Sequence, residues 1–201
     1  MKNILVVQAS PSRAESSCRK VVTALVERLT AAYPNAVVTS RELTLNPIPH
    51  FSDSAVSAAS TPASVRTSEQ RKALELSEHL CAELIAADVL VVGTPMWNFS
   101  VPSVLKAWVD HLVRADLTFR YEKGGPVGIL PASKRLYLVE SSGGDYASPE
   151  ASPMNHVAPY LRQVFGFLGI LDIQTITIAG TAYRRADAVQ EGLNRVLQLQ
   201  L

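Results

Sequence analysis

The sequence predicts an α/β fold with a doubly wound parallel sheet and helices on both faces. Short, continuous apolar runs rich in β-branched residues are typical of strands that are buried on both faces, as in parallel sheets. Five such runs alternate along the chain with five stripes of apolar residues at helical spacing. Right-handed crossovers restrict a sheet of this kind to the strand orders 2-1-3-4-5 and 3-2-1-4-5.

Each element rests on its own apolar pattern. The runs predict strands over residues 4–7, 36–43, 88–93, 134–140 and 170–179. The stripes predict helices through Val22, Leu25, Val26 and Leu29, through Leu76, Leu80 and Leu84, through Val101, Val104, Leu105, Trp108 and Leu112, over residues 155–168, and through Val189, Leu193, Val196 and Leu197. Ligands of such sheets bind beyond the carboxyl ends of the strands, so the loops that follow the strands form the candidate site.

Two segments interrupt the regular alternation of strands and helices. Residues 44–68 are rich in Ser, Ala and Pro, and a loop of that length in a compact domain is a lid, an interface element or a partly disordered segment. Residues 117–130 contain Phe119, Tyr121 and the run Gly124-Gly125-Pro126. This second pattern is consistent with a hairpin or with an irregular excursion from the sheet.

Composition and charge narrow the classes of function. With 201 residues, of which 47% are hydrophobic and 18% charged, the chain is expected to form one globular domain over residues 1–201. A net charge of +1 argues against a nucleic-acid partner, which requires a basic excess. No apolar run reaches the roughly 20 residues of a membrane span, and the N-terminal run is too short for a signal segment. Because Cys18 and Cys81 are the only cysteines and suit a reducing compartment, we expect a soluble, cytoplasmic protein.

The loop after the first strand is a candidate phosphate site. It leads into the first helix, where hydroxyl groups and free backbone N–H groups favour an anion; its candidate ligands are Ser10, Ser16, Ser17 and Cys18. An ordinary serine cap of the helix is the alternative interpretation. The loop lacks the spaced glycines of a dinucleotide site, the Gly-Lys-Ser of a nucleotide loop and a Cys-x5-Arg motif. A phosphate there would therefore be held and not transferred.

The loop after the third strand suits a flat ring system. It places two aromatic residues at the edge of the sheet, and its candidate residues are Met96, Trp97, Asn98 and Phe99. The alternative is that Trp97 and Phe99 simply cap the core.

The loop after the fourth strand contains paired glycines. Successive N–H groups at such a pair can point at one carbonyl or anion, and the candidate residues are Ser141, Ser142, Gly143 and Gly144. A plain turn is the alternative here. Three such loops on the same sheet edge together favour a binding site.

These motifs together resemble those of a known family. The matching segments are the run Pro-Met-Trp-Asn-Phe at residues 95–99, Pro102, residues 105–110, 119–121, 125–128 and 141–144, and the run Pro-Ile-Pro at residues 47–49. In colinear order from residue 2 to about residue 180, the chain resembles the FMN-dependent NADH-azoreductases and quinone reductases of the flavodoxin-like superfamily. The resemblance implies the strand order 2-1-3-4-5 and a homodimer with FMN near the subunit interface.

The resemblance also assigns roles to the residues of the three loops. Ser10, Ser16, Ser17 and Cys18 would take the flavin phosphate; Met96, Trp97, Asn98 and Phe99 would line the isoalloxazine ring; Ser141, Ser142, Gly143 and Gly144 would contact its pyrimidine edge. The chain departs from the family at two positions, since the family usually has Tyr where Trp97 stands and Ser where Cys18 stands. The Cys18 thiol is a weak hydrogen-bond donor, although its backbone N–H remains available.

The implied function is two-electron reduction of quinones to hydroquinones, and cleavage of aromatic azo compounds to amines, with NADH or NADPH as co-substrate. No second dinucleotide site follows any strand, which predicts a ping-pong order of substrates. No catalytic side chain is expected, because the hydride chemistry takes place at N5 of FMN. No metal site is expected either, since His50, His79, His111 and His156 are scattered without metal-ligand spacing.

Three other classes of protein share some of these features and are alternatives to this function. A phosphoacceptor receiver domain needs acidic residues after the first and third strands, and a serine hydrolase needs a Gly-x-Ser-x-Gly elbow; the chain has neither. A non-catalytic flavodoxin-type electron carrier is the remaining alternative. Such carriers are usually strongly acidic, and a net charge of +1 fits them poorly.

Overall fold

A five-stranded parallel sheet forms the centre of the computed structural model, which describes residues 1–12 and 15–201. The strands in chain order are β1 (Asn3–Gln8), β2 (Val37–Glu42), β3 (Val89–Pro95), β4 (Phe119–Glu122), β5 (Gly125–Gly128), β6 (Arg135–Ser141) and β7 (Asp172–Ile178). The sheet has the spatial order β2-β1-β3-β6-β7, and β4 and β5 form a separate antiparallel pair. Counted among the sheet strands alone, this is the order 2-1-3-4-5, so that prediction is confirmed and the alternative 3-2-1-4-5 is wrong.

Helices cover both faces of the sheet, as predicted. They are α1 (Ser17–Ala32), α2 (Asp53–Ala59), α3 (Ser68–Ala86), α4 (Ser103–Leu112), α5 (Val157–Phe167) and α6 (Arg185–Gln198). Apolar residues of α1 and α6 pack on one face, and those of α3, α4 and α5 pack on the other. Among the described residues, none of the helices combines the length and the apolar character that crossing a membrane requires.

The central strand β3 shows why the apolar runs are continuous. Leu90 and Val92 belong to the core beneath α3, α4 and α5, whereas Val89 and Val91 belong to the core beneath α1 and α6. Successive side chains of a strand point to opposite faces, and both faces are covered here. Every position of such a strand must therefore be apolar until the strand reaches the carboxyl edge of the sheet.

The segment 44–68 is more regular than the sequence predicts. It contains the short helix α2 and a 3-10 turn at Ala63–Val65. Ser52 caps α2 by accepting a hydrogen bond from the Ala55 N–H at 3.2 Å, and two small residues of the helix, Ala55 and Ala58, are buried against Leu74 of α3. Alanines carry a weak hydrophobic pattern, so this sixth helix has no stripe that the sequence could reveal.

A hairpin, one of the two alternatives for residues 117–130, is present. Phe119 of β4 lies opposite Gly128 of β5, and Tyr121 lies opposite Pro126. Phe119 is buried against Phe167, with ring centroids 5.3 Å apart, whereas Tyr121 is mostly exposed. The hairpin is thus anchored to α5 by one face and leaves the other face at the surface.

Candidate functional site

The loops after β1, β3 and β6 meet at the carboxyl edge of the sheet. The Ala9 N–H donates to the Gly93 carbonyl at 2.9 Å, and the Met96 N–H donates to the Ser141 carbonyl at 2.7 Å. Because β1, β3 and β6 are neighbours in the sheet, the three sets of candidate residues come together in one region. The loop between β1 and α1 includes residues 13 and 14, which lie outside the described residues.

The start of α1 has the features of an anion site. Ser16 is the N-cap, and its hydroxyl accepts a hydrogen bond from the Arg19 N–H at 3.2 Å. Ser17 and Cys18 occupy the first turn, where backbone N–H groups have no partner inside the helix. Ser10 is buried beside them in the same loop. The serine cap and the anion site are therefore compatible, because the cap uses the N–H of Arg19 and not those of Ser17 and Cys18.

The Cys18 side chain points away from this anion site. Its thiol donates to the Val139 carbonyl with an Sγ–O distance of 3.4 Å, and the residue is buried in the core under α1. Burial raises the pKa of the Cys18 thiol to about 12. A Cβ at Gly93 would lie only 3.1 Å from this sulfur and 2.7 Å from Gln8 Oε1, so close packing requires glycine there. The thiol is therefore a packing group, and only the backbone N–H of Cys18 faces the anion site.

Arg19 organises the first loop, and the sequence analysis missed it. Its guanidinium group binds Glu42 at the end of β2 in a bidentate pair of 2.9 and 2.6 Å. The same group donates to the carbonyls of Ser10 at 2.9 Å and Ser12 at 3.1 Å. Because the Glu42 carboxylate already compensates the positive charge of Arg19, the role of this residue is to shape the loop and not to supply a free cation. The sequence could suggest this pair only through the adjacency of β1 and β2, which brings Glu42 beside the loop.

The third loop is a tight turn with unusual backbone geometry. Trp97 and Ser100 exchange two backbone hydrogen bonds of 2.9 and 3.0 Å, and the intervening Asn98 and Phe99 have φ angles of 47° and 71°. Two consecutive positive φ angles define a type I′ turn, which glycine and asparagine adopt readily but phenylalanine rarely does. The Phe99 ring packs edge-on against Tyr146, with centroids 5.8 Å apart.

Both aromatic rings of this turn are accessible. Trp97 exposes 50% of its surface and Phe99 exposes 45%. That exposure is incompatible with the alternative in which they cap the core. The partly buried Met96 packs against the core at the base of the turn, so the turn presents the two rings at the edge of the sheet.

The fourth loop presents backbone donors. Ser142 is fixed by its N–H, which donates to the Ile178 carbonyl at 3.0 Å, and by its hydroxyl, which donates to the Gly144 carbonyl at 2.8 Å. The N–H groups of Gly143 and Gly144 have no acceptor in the part of the chain that the structure describes. A Cβ at Gly144 would lie 2.9 Å from the Tyr146 ring, so glycine is required for this packing. The loop therefore offers two adjacent donors on a fixed backbone.

The histidines do not form a reactive cluster. His111 is buried and contacts the Pro49 carbonyl through Nε2 at 3.0 Å, and the exposed His79 lies 3.1 Å from Glu83. His156 precedes α5, and its backbone N–H donates to the Phe99 carbonyl at 2.8 Å. Among residues 1–12 and 15–201, no group of three or more His, Cys, Asp or Glu side chains is placed to hold a metal ion.

Comparison with known proteins agrees with this geometry. A family model described as a flavodoxin-like fold matches residues 2–199. The chain belongs to this flavodoxin-like family. An FMN-dependent NADH:quinone oxidoreductase of Rhizobium johnstonii is 41% identical over all of this chain and 99% of its own length. A protein of the same name from Herminiimonas arsenicoxydans is 42% identical over 98% of this chain and 94% of its own length.

Solved structures give the same result at lower identity. An azoreductase from Bacillus anthracis superposes with a TM-score of 0.90 at 26% identity, over 98% of each chain. An FMN-dependent NADH-azoreductase from another strain of that species, solved in complex with FMN, has the same score and identity over 98% of this chain and 97% of its own. The family resemblance that the sequence motifs indicate is thereby confirmed.

Proposed function

We propose that this protein is an FMN-dependent oxidoreductase that transfers electrons from NADH to quinones. The observation that carries the proposal is the meeting of three features at one sheet edge. These are the free first turn of α1, the half-exposed rings of Trp97 and Phe99, and the unpaired N–H groups of Gly143 and Gly144. The relatives that bear this activity in their names match the chain over nearly its whole length.

The residues fit a flavin mononucleotide. One candidate anion site and one aromatic turn, with no second phosphate site of the dinucleotide type among the described residues, match a ligand with one phosphate and one flat ring. In this proposal the phosphate is held by the hydroxyls and N–H groups of Ser10, Ser16 and Ser17 and by the N–H of Cys18. The turn formed by Met96, Trp97, Asn98 and Phe99 would hold the ring, and Ser141, Ser142, Gly143 and Gly144 would contact its polar edge.

The chain contributes orientation and electrostatics to the reaction. Bound FMN supplies two-electron transfer between NADH and the acceptor. The N–H groups of Gly143 and Gly144 are preorganised donors, so they favour negative charge at the polar edge of the ring over a neutral edge. Trp97 and Phe99 exclude water from the ring face that they cover. Proton delivery from water completes the proposal, since the described residues of the three loops present no paired acid and base.

The proposal extends to the order of substrates and to azo compounds. The three loops form a single edge, so NADH and the acceptor would occupy the same place in turn, which is a ping-pong order. NADPH is a second candidate donor. An azo bond requires four electrons to become two amines, so its cleavage would consume two molecules of NADH in two cycles. The azoreductase structures that resemble this chain support this second class of acceptor.

A homodimer is part of the proposal. Several apolar residues of the 44–68 segment and the hairpin are exposed in the single chain: Leu45, Val56, Val65, Tyr121 and Val127. A cavity of about 490 Å³ lies between these two segments, lined on one side by residues 59–63 and on the other by Leu117 and Tyr121. The cavity is also lined by Arg66, Glu78, Arg114 and Asp116, and a second copy of the chain would cover it together with the exposed apolar residues. A cytoplasmic location is proposed as well, and two free cysteines are compatible with it.

The test is a spectrum followed by steady-state kinetics. Purified protein should show the visible absorption of bound flavin, heat release should give FMN and not FAD, and catalytic amounts should sustain NADH oxidation by a benzoquinone. Absence of bound or bindable flavin would contradict the proposal. Flavin that NADH does not reduce at a catalytic rate would favour the alternative, a flavodoxin-type electron carrier. Light scattering at micromolar concentration tests the dimer separately.

A further inference from the structure

A buried carboxylate lies directly behind the fourth loop. Glu140, the residue before Ser141, is only 4% exposed. Its Oε1 atom accepts hydrogen bonds from the Thr177 hydroxyl at 2.9 Å and from the Asn155 amide nitrogen at 3.1 Å. Its Oε2 atom is buried and has no donor within the described residues. An acid in this position needs an explanation, because an unpaired buried oxygen is unfavourable.

The contacts of Glu140 lead to the aromatic turn in two steps. Asn155 uses its amide nitrogen on Glu140 and its Oδ1 atom to accept from the Val157 N–H at 2.9 Å, which caps the first turn of α5. His156 lies between Asn155 and Val157 in the chain, and its backbone N–H donates to the Phe99 carbonyl at 2.8 Å. The carboxylate therefore fixes Asn155, and Asn155 fixes the backbone that holds Phe99.

The turn requires such an anchor from outside. Asn98 and Phe99 both have positive φ angles, and a bulky aromatic residue in the left-handed region relaxes to another conformation unless its surroundings hold it. The Trp97–Ser100 backbone pair closes the turn, but a two-residue loop closed in this way can adopt either type I′ or type II′ geometry. The His156 N–H, just before α5, donates a hydrogen bond directly to the carbonyl of the strained residue Phe99.

We infer that Glu140 is a positioning residue that holds the Trp97–Ser100 turn in its ligand-facing shape through Asn155 and His156. The part of this inference that concerns flavin rests on the proposed function, whereas the coupling between Glu140 and the turn does not. Removing the link should therefore change the turn in the flavin-free chain and weaken the binding of FMN as a consequence.

Four variants and a control test the hydrogen bond between Glu140 and Asn155. Glu140→Ala removes the acceptor, whereas Glu140→Gln keeps an oxygen for both donors. Asn155→Asp keeps the cap on Val157, but it replaces the donated N–H with a second carboxylate oxygen. The double variant Glu140→Gln with Asn155→Asp reverses donor and acceptor, since the new amide can donate to the new carboxylate. The control is Thr175→Ala in β7, the strand that also contains Thr177; it removes a hydroxyl that accepts from Arg162 at 2.7 Å and does not contact Glu140.

Two measurements decide the outcome. Amide hydrogen exchange in the flavin-free chain should become at least about tenfold faster in the turn at residues 97–100, measured at the hydrogen-bonded N–H groups of Trp97 and Ser100, for Glu140→Ala and Asn155→Asp. It should stay within about threefold of the parent for Glu140→Gln and Thr175→Ala, and the double variant should recover most of the loss of Asn155→Asp. The Kd for FMN, measured by fluorescence, should change in the same pattern.

Parental exchange at residues 97–100 in both Glu140→Ala and Asn155→Asp would overturn the inference, and so would a double variant no better than Asn155→Asp alone. Equal exchange increases along the whole chain would also overturn it, because they would show general destabilisation. If the parent protein bound no FMN, the proposed function would fail, and the exchange pattern would still decide the role of Glu140.

Discussion

Replacement of Trp97 by alanine should weaken FMN binding by about 60-fold. Trp97 exposes 50% of its surface, which is about 125 Å² if a full tryptophan has roughly 250 Å². A flat ligand that covers half of this would bury about 60 Å², equivalent to ~1.5 kcal/mol at ~25 cal/mol per Å². Pairing of aromatic rings adds ~1 kcal/mol. The sum of ~2.5 kcal/mol corresponds to about a 60-fold change in Kd.

The assay is titration of the flavin-free chain with FMN, followed by quenching of flavin fluorescence. Trp97→Phe keeps a smaller ring and should lose only about fivefold in affinity. Leu171→Ala changes an exposed apolar residue just before β7, at the opposite edge of the sheet, and should leave the Kd unchanged. Stability of the flavin-free Trp97→Ala chain should fall by less than about 1 kcal/mol, because the ring is half exposed. A Kd within twofold of the parent would refute contact between this ring and the ligand.

Three further predictions concern the loop, the core and the kinetics. Arg19→Ala should destabilise the chain by about 1–2 kcal/mol and raise the FMN Kd several-fold, because the carbonyls of Ser10 and Ser12 lose their donor. Denaturant titration measures the stability and FMN titration measures the Kd. An unchanged Kd would contradict the role of Arg19 in shaping the loop. Cys18 has its pKa raised from 9.0 to about 12, so its contribution to stability is complete below pH 9 and is lost as the pH rises towards 12. In denaturant titrations between pH 9 and 10.5, the free energy of unfolding should therefore fall less steeply with pH in Cys18→Ala than in the parent. The same slope in both proteins would contradict this prediction. Initial rates with NADH at several fixed quinone concentrations should give parallel double-reciprocal lines, whereas intersecting lines would indicate a ternary complex.

The sequence was sufficient to predict the sheet and the three loops that meet at its carboxyl edge. Continuous apolar runs identify strands that are buried on both faces. The rule that ligands bind at the carboxyl edge of such sheets then indicates the loops at Ser10, Trp97 and Gly143. In the structure, the Ala9–Gly93 hydrogen bond joins the first of these loops to the end of β3, and the Met96–Ser141 hydrogen bond joins the second loop to the third. Hydrophobic periodicity determines these features because it reports burial directly.

The pairs that shape the site could not be predicted in this way. Arg19 meets Glu42 only because β2 pairs with β1 and ends beside the first loop, and Glu140 meets Asn155 only because the start of α5 lies beside the end of β6. Polar contacts across 15 or 23 positions leave no periodic trace in the sequence. The direction of the Cys18 thiol depends similarly on the rotation of α1 about its own axis, which the sequence near the N-cap does not specify.

Several features that are unfavourable in isolation occur together at this one edge. Phe99 has a positive φ angle, Trp97 is half exposed, and the N–H groups of Gly143 and Gly144 have no acceptor in the described part of the chain. Each of them would be relieved by a simple change, since glycine suits the turn, a polar residue suits the surface, and a closer loop would pair the donors. A flat ligand with polar acceptor atoms along one edge would cover the two rings and accept from the Gly143 and Gly144 donors, whereas the backbone of Phe99 is held by the His156 N–H. The half-exposed rings and the free donors therefore favour a flat ligand with polar atoms at one edge, which is the ligand class that the proposed function requires.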